Sequence, residues 1–297
     1  MPEFTIKIED ELLTQLRGKY GELNFNEHFD RIEELLNLSK EREWEKYTEG
    51  DYTYEGEVLK GTSIPYGRGM FYLQSYGIIY QGWFFMGAKH GYGKEIRTVT
   101  GGYIYEGEYS QNEFEGQGTT IWDETGWNHT GAYSGGDKNG YGFLQQDFFT
   151  YKGNYLNDLK HGFGEQRYGG NLLYKGMHYQ DIMHGWGQAD EGVYQYEGEF
   201  QMAAKHGFGR KWSGNLNYIY CGRFKDDLKH GRGLLKSDGV YKFVMMYKDK
   251  AIIKLPIYNF ESYMTRAVRR TLFNNAYYWR LMRFILTQCL NKQDKVV

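Results

Sequence analysis

One phrase recurs along this chain and leaves few architectures open: an aromatic residue, any residue, a glycine, then Gly-x-Gly nine residues on. It runs as Tyr80-x-Gly82 with Gly91-x-Gly93, Tyr105-x-Gly107 with Gly116-x-Gly118, and His129-x-Gly131 with Gly140-x-Gly142. Tyr151-x-Gly153 pairs with Gly162-x-Gly164, Tyr174-x-Gly176 with Gly185-x-Gly187, and Tyr196-x-Gly198 with Gly207-x-Gly209. Tyr220-x-Gly222 goes with Gly231-x-Gly233, and Tyr54-x-Gly56 with Gly67-x-Gly69 carries two extra residues. The period is 22 to 26 residues over eight copies, and these positions absorb 24 of the 40 glycines. Self-similarity at such a period means stacked repeats, not one globule.

Within a copy the chemistry is that of a hairpin. In Tyr105-Glu106-Gly107-Glu108-Tyr109 rings and glycine alternate with charges, the period of a strand with one buried face. A polar stretch such as Ser110 to Glu115, or Lys138-Asn139-Gly140, is expected to make the turn, with Gly-x-Gly opening the return strand. Glycine weakens a strand unless something must approach its backbone, and rings from the neighbouring hairpin are the expected visitors. One hairpin is barely stable in water, so stability must come from the interfaces between stacked copies. Aromatic residues at 18% of the chain, with 29 tyrosines and 3 prolines, suit that scheme and exclude collagen and a disordered linker.

The repeated Tyr-x-Gly-x-Tyr/Phe followed by His-Gly-x-Gly resembles the MORN repeat. Tyr196-Glu197-Gly198-Glu199-Phe200 with Lys205-His206-Gly207-Phe208-Gly209 carries the resemblance best, as does Tyr151 to Tyr155 with Lys160 to Gly164. It implies a mainly β fold, an elongated single-sheet solenoid of tandem antiparallel hairpins over residues 50–249. Stand-alone members of the family resembling this chain belong to cilia and flagella, including radial-spoke heads, or to membrane-apposed cytoskeleton. The resemblance therefore implies a cytoplasmic, cytoskeletal scaffold of the axoneme, bound to other proteins of a large assembly. Copies depart from the pattern at His129, at Glu115 and Asn139, and at Tyr66. Tyr241 to Lys250 reads as a decayed ninth copy that caps the last interface.

The ends read as helices. Residues 1–49 form the expected N-terminal helical cap, with a helix over 26–46 capped by Asn26 and apolar at Phe29, Ile32, Leu35 and Leu36. Residues 250–297 form the expected C-terminal basic amphipathic helix, broken from the repeats by Pro256 and starting near Asn259. Arg266, Arg269, Arg270, Trp279, Arg280, Met282 and Arg283 are its candidate partner- or membrane-binding residues. Residues 1–50 hold thirteen acidic and seven basic side chains, whereas 257–297 hold two and seven. That asymmetry points to different partners for the two ends, anionic lipid among them for the basic one. The formal net charge of −2 gives no general attraction to nucleic acid.

No enzyme, cofactor, metal or small-molecule substrate is expected. A dinucleotide loop needs Gly-x-Gly-x-x-Gly, and every copy fails at the last glycine, as in Gly91-x-Gly93 followed by Lys94-Glu95-Ile96. His90, His161, His184, His206 and His230 sit in His-Gly, but equivalent positions in successive hairpins lie about 9.6 Å apart, too far to share one zinc. They are expected to be satisfied turn histidines. The stretch Gly69 to Ala88 lacks charge but is broken by glycine and glutamine, so it is not a membrane span. Cys221 and Cys289 suggest a reducing compartment without a disulfide framework.

Overall fold

The computed structural model describes residues 41–256 except 100 and 123, together with residue 18. Among them are nineteen strands and one 3-10 turn at Gln74–Tyr76. The chain divides into two compact units, one ending at Leu159 and one beginning at Lys160.

The first unit is an antiparallel meander. It runs through β1 (Arg42–Glu49), β2 (Tyr52–Leu59), β3 (Pro65–Leu73), β4 (Ile78–Phe85) and β5 (Ala88–Arg97). It continues through β6 (Ile104–Ser110), β7 (Glu113–Trp122), β8 (Trp127–Ser134), β9 (Asp137–Gln146) and β10 (Phe149–Leu156). Each strand pairs with the next. The second unit does the same, from β11 (Leu159–Tyr168), β12 (Asn171–Tyr179), β13 (Ile182–Asp190) and β14 (Gln195–Gln201) onward. It ends with β15 (Ala204–Ser213), β16 (Tyr218–Lys225), β17 (Leu228–Ser237), β18 (Val240–Tyr247) and β19 (Lys250–Pro256). The fold is mainly β and built of open hairpin sheets, as expected.

The glycines form a row of direct cross-strand partners: Gly56 faces Gly69, Gly69 faces Gly82, and Gly82 faces Gly93. The same holds in the second unit for Gly176 and Gly187, Gly198 and Gly209, and Gly222 and Gly233. The visitor over this bare backbone differs from the expectation. It is the leading tyrosine of the same hairpin, not a ring from its neighbour. A Cβ on Gly82 would stand 2.4 Å from the Tyr80 hydroxyl and 2.6 Å from the Gly93 Cα. The tyrosine folds back because its hydroxyl donates to the carbonyl three residues on. Tyr80 reaches Trp83 at 3.0 Å, Tyr105 reaches Glu108 at 2.9 Å, and Tyr151 reaches Asn154 at 3.0 Å. Tyr174, Tyr196 and Tyr220 repeat the bond to Met177, Glu199 and Arg223.

Rings two registers further on lock the copies together. Tyr80 meets Phe84 of its own hairpin edge-on at 5.2 Å and Tyr109 of the next at 5.1 Å. Tyr196 meets Phe200 at 5.1 Å and Phe224 at 5.0 Å in the same manner. Each leading tyrosine thus bridges two repeats, and each such pair contributes about 0.5–1.5 kcal/mol beyond area burial. This is the nearest-neighbour coupling that a repeat array needs.

The turns are tighter than the polar stretches suggest. Five hairpins close on two non-glycine residues of positive φ with a polar second residue: Gln111 and Asn112, Asn157 and Asp158, Gln180 and Asp181, Asp226 and Asp227, Lys248 and Asp249. Gly135 and Gly136 close the β8–β9 hairpin, so Lys138-Asn139-Gly140 lies inside β9 and not in a turn. Left-handed residue pairs match the twist of the flanking strands. The first glycine of Gly-x-Gly, such as Gly91 at φ 74°, sits within the return strand at a register shift.

The second turn residue also reaches back one repeat. Asp158 accepts from the Lys138 backbone N–H at 3.0 Å, Asp181 from Lys160 at 2.9 Å, Asp227 from Lys205 at 2.9 Å and Asp249 from Lys229 at 3.0 Å. Asn112 does the same for Lys89 at 2.9 Å.

The ends depart from expectation. Residues 42–49, the last part of the expected N-terminal helical cap and overlapping its helix at 42–46, form β1, and Tyr47 joins the ring row beside Tyr52 and Tyr54. The decayed ninth copy is a full hairpin of β18 and β19, so residues 250–256 belong to the sheet. The remainder of both expected helices lies outside the described residues, as do Arg266, Arg269, Arg270, Trp279, Arg280, Met282 and Arg283. Cys221 is fully buried on β16, and the second cysteine, Cys289, lies outside the described residues.

Candidate functional site

Strand alternation gives each sheet two faces. One carries the leading tyrosines and the glycine row; the other carries the residue inside each Gly-x-Gly and its cross-strand neighbours. Burial separates regions of this second face. Over β3–β5 it is buried, with Met70 and Trp83 each 1% exposed and Lys94 nearly covered. On β9 of the same unit, Tyr141 is 54% exposed. In the second unit Phe163 and Met177 are direct partners, with Trp186 on the next strand, and they are 50%, 42% and 41% exposed. Lys175 and Arg167 both pair with Glu165 at the margin of this patch. A row of large apolar side chains outside the core, with polar neighbours, is the form an interaction surface takes.

The tyrosine face, in contrast, is closed chemistry. Glu95 is fully buried and bound by Lys89, by Arg97 Nε at 2.8 Å and by the Tyr103 hydroxyl, which donates at 2.9 Å. Burial alone would raise its pKa, but Lys89 and Arg97 outweigh that and hold it below the ordinary carboxylate value. The Lys89 ammonium also lies over the rings of Tyr80 and Tyr109. No sequence motif marks Glu95, because Lys94-Glu95-Ile96-Arg97 reads as a solvated strand edge.

The expected histidine row is structural. His161, His184 and His230 lie in strands rather than turns, against Tyr179, Tyr179 and Tyr247 respectively. His90 departs from the expected satisfied state, since its Nδ1 is buried without a hydrogen-bond partner. Among the described residues no group of three or more His, Cys, Asp or Glu side chains could hold a metal. No helix among them is long and apolar enough to cross a membrane, and Gly69 to Ala88 lies across β3, β4 and the start of β5.

His129 is where the repeat breaks its own rule. It occupies a leading tyrosine position, fully buried, with Nδ1 at 2.8 Å from the Tyr133 hydroxyl, which contacts Thr120 Oγ1 at 2.6 Å. Its Nε2 is buried with no hydrogen-bond partner. Burial, helped by Lys138, pushes its pKa down to about 4 from 6.5. The unfolded chain therefore binds more protons between those values, and this hairpin loses stability as pH falls from 6.5 toward 4. His129→Tyr supplies the hydroxyl that reaches the i+3 carbonyl elsewhere. It is expected to stabilise by about 1 kcal/mol at pH 7 and to flatten the dependence between pH 6.5 and 4. Urea unfolding at both pH values checks this, and an unchanged pH slope would count against it.

The MORN repeat model matches residues 80–98, 105–124, 151–171, 196–217 and 220–243. Alsin of Rattus norvegicus is 31% identical over 137 residues, covering 41% of this chain and 8% of that protein. The match thus spans less than a tenth of that relative's length. The copies led by Tyr54, His129 and Tyr174 lie outside the five matched segments. With five copies matched, in phase with the tyrosine and glycine rows of the sheets, this chain is a MORN repeat protein.

Proposed function

We propose that the chain is a non-enzymatic scaffold that positions other proteins in a large assembly, in the ciliary or flagellar axoneme or its associated cytoskeleton. The observation that carries the reading is the exposed apolar row of Phe163, Met177 and Trp186 on the second face, beside a tyrosine face wholly spent on holding the repeats together. A surface of that kind exchanges water for a partner's side chains and needs no reactive group. MORN repeats as a family are interaction or membrane-binding scaffolds, which agrees with this division of labour. The axonemal placement comes from the resemblance to radial-spoke-type members.

Tagging the protein in its own cell and extracting with detergent tests the placement. Retention along cilia or another cytoskeletal structure is the expected result. Complete release with the membrane fraction would overturn it and favour a second reading, an adaptor on anionic membrane or an accessory subunit of a membrane complex. The basic balance of residues 257–297, seven basic against two acidic, favours that alternative. Its binding to anionic vesicles should then fall with salt and with charge reversal at Arg266, Arg269 and Arg270.

A further inference from the structure

The first strand and the last carry charges of opposite sign that the fold leaves unmatched. On β1, Glu43, Glu45 and Glu49 alternate onto the face that carries Tyr47. Among the described residues no ion pair holds any of the three, whereas Arg42 and Lys46, the two bases of β1, are bound to Glu57 and Glu55 of β2. At the other end Lys248, Lys250 and Lys254 are exposed on β19 and its turn, and among the described residues no ion pair holds them either. The one acid there, Asp249, is bound by Lys229 at 3.4 Å.

We propose that the outer edge of β19 docks β1 of a second copy of this chain, end to end. The inference rests on the scaffold reading and extends it, since such a contact lengthens the surface on which other proteins would sit. Three observations support it. β19 takes its ladder from β18, and the outer edge of a last strand offers N–H and C=O groups to a further strand. Ile252 and Ile253, 65% and 51% exposed, stand between Lys250 and Lys254 and would lose water in the contact. Residues 41–49 hold four acidic and two basic side chains, residues 248–254 three basic and one acidic, so the two strands meet as net −2 and net +2. Glu45 and Glu49 are spaced along β1 as Lys250 and Lys254 are along β19, within reach of the long lysine side chains.

The same features discourage other pairings. Lysines, a bulge and a proline are the devices that keep an edge strand from indiscriminate pairing, and β19 has all three, the proline at Pro256. An antiparallel second β19 centred on Ile252 would set Lys250 against Lys254, like charges directly opposite. A glutamate-bearing β1 turns that repulsion into attraction, so the lysines select the partner. The contact joins two different surfaces, so every added copy presents one unused end. Assembly then continues as an open chain or closes as a ring.

The test uses the full chain in sedimentation velocity, over a range of concentrations at low and physiological salt. Mass is expected to rise with concentration past that of a dimer and to fall back as salt screens the ion pairs. Lys250→Glu with Lys254→Glu should weaken the association by about tenfold or more, and so should Glu45→Lys with Glu49→Lys. Mixing the two double variants should restore it, because each copy then meets the opposite sign at both ends. Lys152→Glu on β10 should change nothing. Glu45 is half-buried, so the exposed Glu49→Lys alone keeps the test open should the double variant fail to fold; thermal melts identify that case. A wild type that stays monomeric at low salt would overturn the proposal, as would association indifferent to either reversal or a mixture that stays monomeric. Monomeric wild type that binds phosphatidylserine vesicles through Lys250 and Lys254 would also overturn it and assign the edge to a lipid surface. Detergent retention of the wild-type chain is scored separately. A monomeric chain with intact retention removes this contact alone, whereas lost retention removes the axonemal placement whatever the assembly does.

Discussion

Gly93→Ala is expected to destabilise the first unit by about 3 kcal/mol, the upper part of the range for overpacking a filled core. The added Cβ would stand 2.4 Å from the Tyr80 hydroxyl and 2.6 Å from Cζ and Cε2 of the same ring. A long exposed side chain could swing away, but this ring cannot. It is held by its bond to the Trp83 carbonyl, stacks on Phe71 at 5.7 Å, and meets Phe84 and Tyr109 edge-on. Moving it would break contacts to two neighbouring copies at once, so the damage should spread to both adjacent interfaces. Hydrogen exchange should show lost protection in β4–β6, with a lowered urea midpoint for the unit. Gly214→Ala is the control, because a Cβ there meets nothing within 4 Å. Equal stability of the two variants would show that the glycine row serves some purpose other than room for the ring.

The contrast between these glycines explains what could be read from the chain and what could not. A three-residue phrase repeated in phase marks every leading tyrosine and every glycine of the row, and so announces hairpins and their stacking. It does not say which ring covers which glycine. Tyr80 reaches Gly82 and Gly93 by folding back on its own strand, a rotamer choice fixed by the Trp83 carbonyl. The turn at Gln111 and Asn112 was legible within the polar stretch Ser110 to Glu115, whereas the one at Gly135 and Gly136 was misplaced onto Lys138-Asn139-Gly140 and the one at Met202 and Ala203 has no turn residue to mark it. There the neighbouring repeats impose the turn against local preference. The segment 42–49 has enough glutamate to pass as helix, yet Tyr47 has a place in the ring row only as a strand. The cavity lined by Gln195, Trp212, Ile219 and Lys236 belongs to no phrase, since its walls come from β14, β15, β16, β17 and two connections. Non-local assembly of that kind leaves no local signature.

Glu95 is likewise invisible to pattern, and its removal carries a comparably large expected effect. Glu95→Gln should cost about 3–5 kcal/mol, the penalty for taking one partner from a buried ion pair. Lys89, only 12% exposed and lying over Tyr80 and Tyr109, would then keep a charge with its bound carboxylate gone. Arg97, at 41% exposed, can turn to water and contributes less to the loss. The pH dependence follows from the direction of the shift. A carboxylate held below its ordinary 4.5 contributes stability that is present above that value and lost as pH falls through the lowered folded value. Wild type should therefore weaken in acid with a slope that Glu95→Gln lacks. Adding Lys89→Met to Glu95→Gln should recover part of the stability, because the stranded charge goes with its partner. Unfolding midpoints of the two single variants and the double, each at pH 7 and pH 3.5, decide the matter. Additive losses in the double variant would mean that Lys89 and Glu95 act independently and that the ring row alone holds this hairpin.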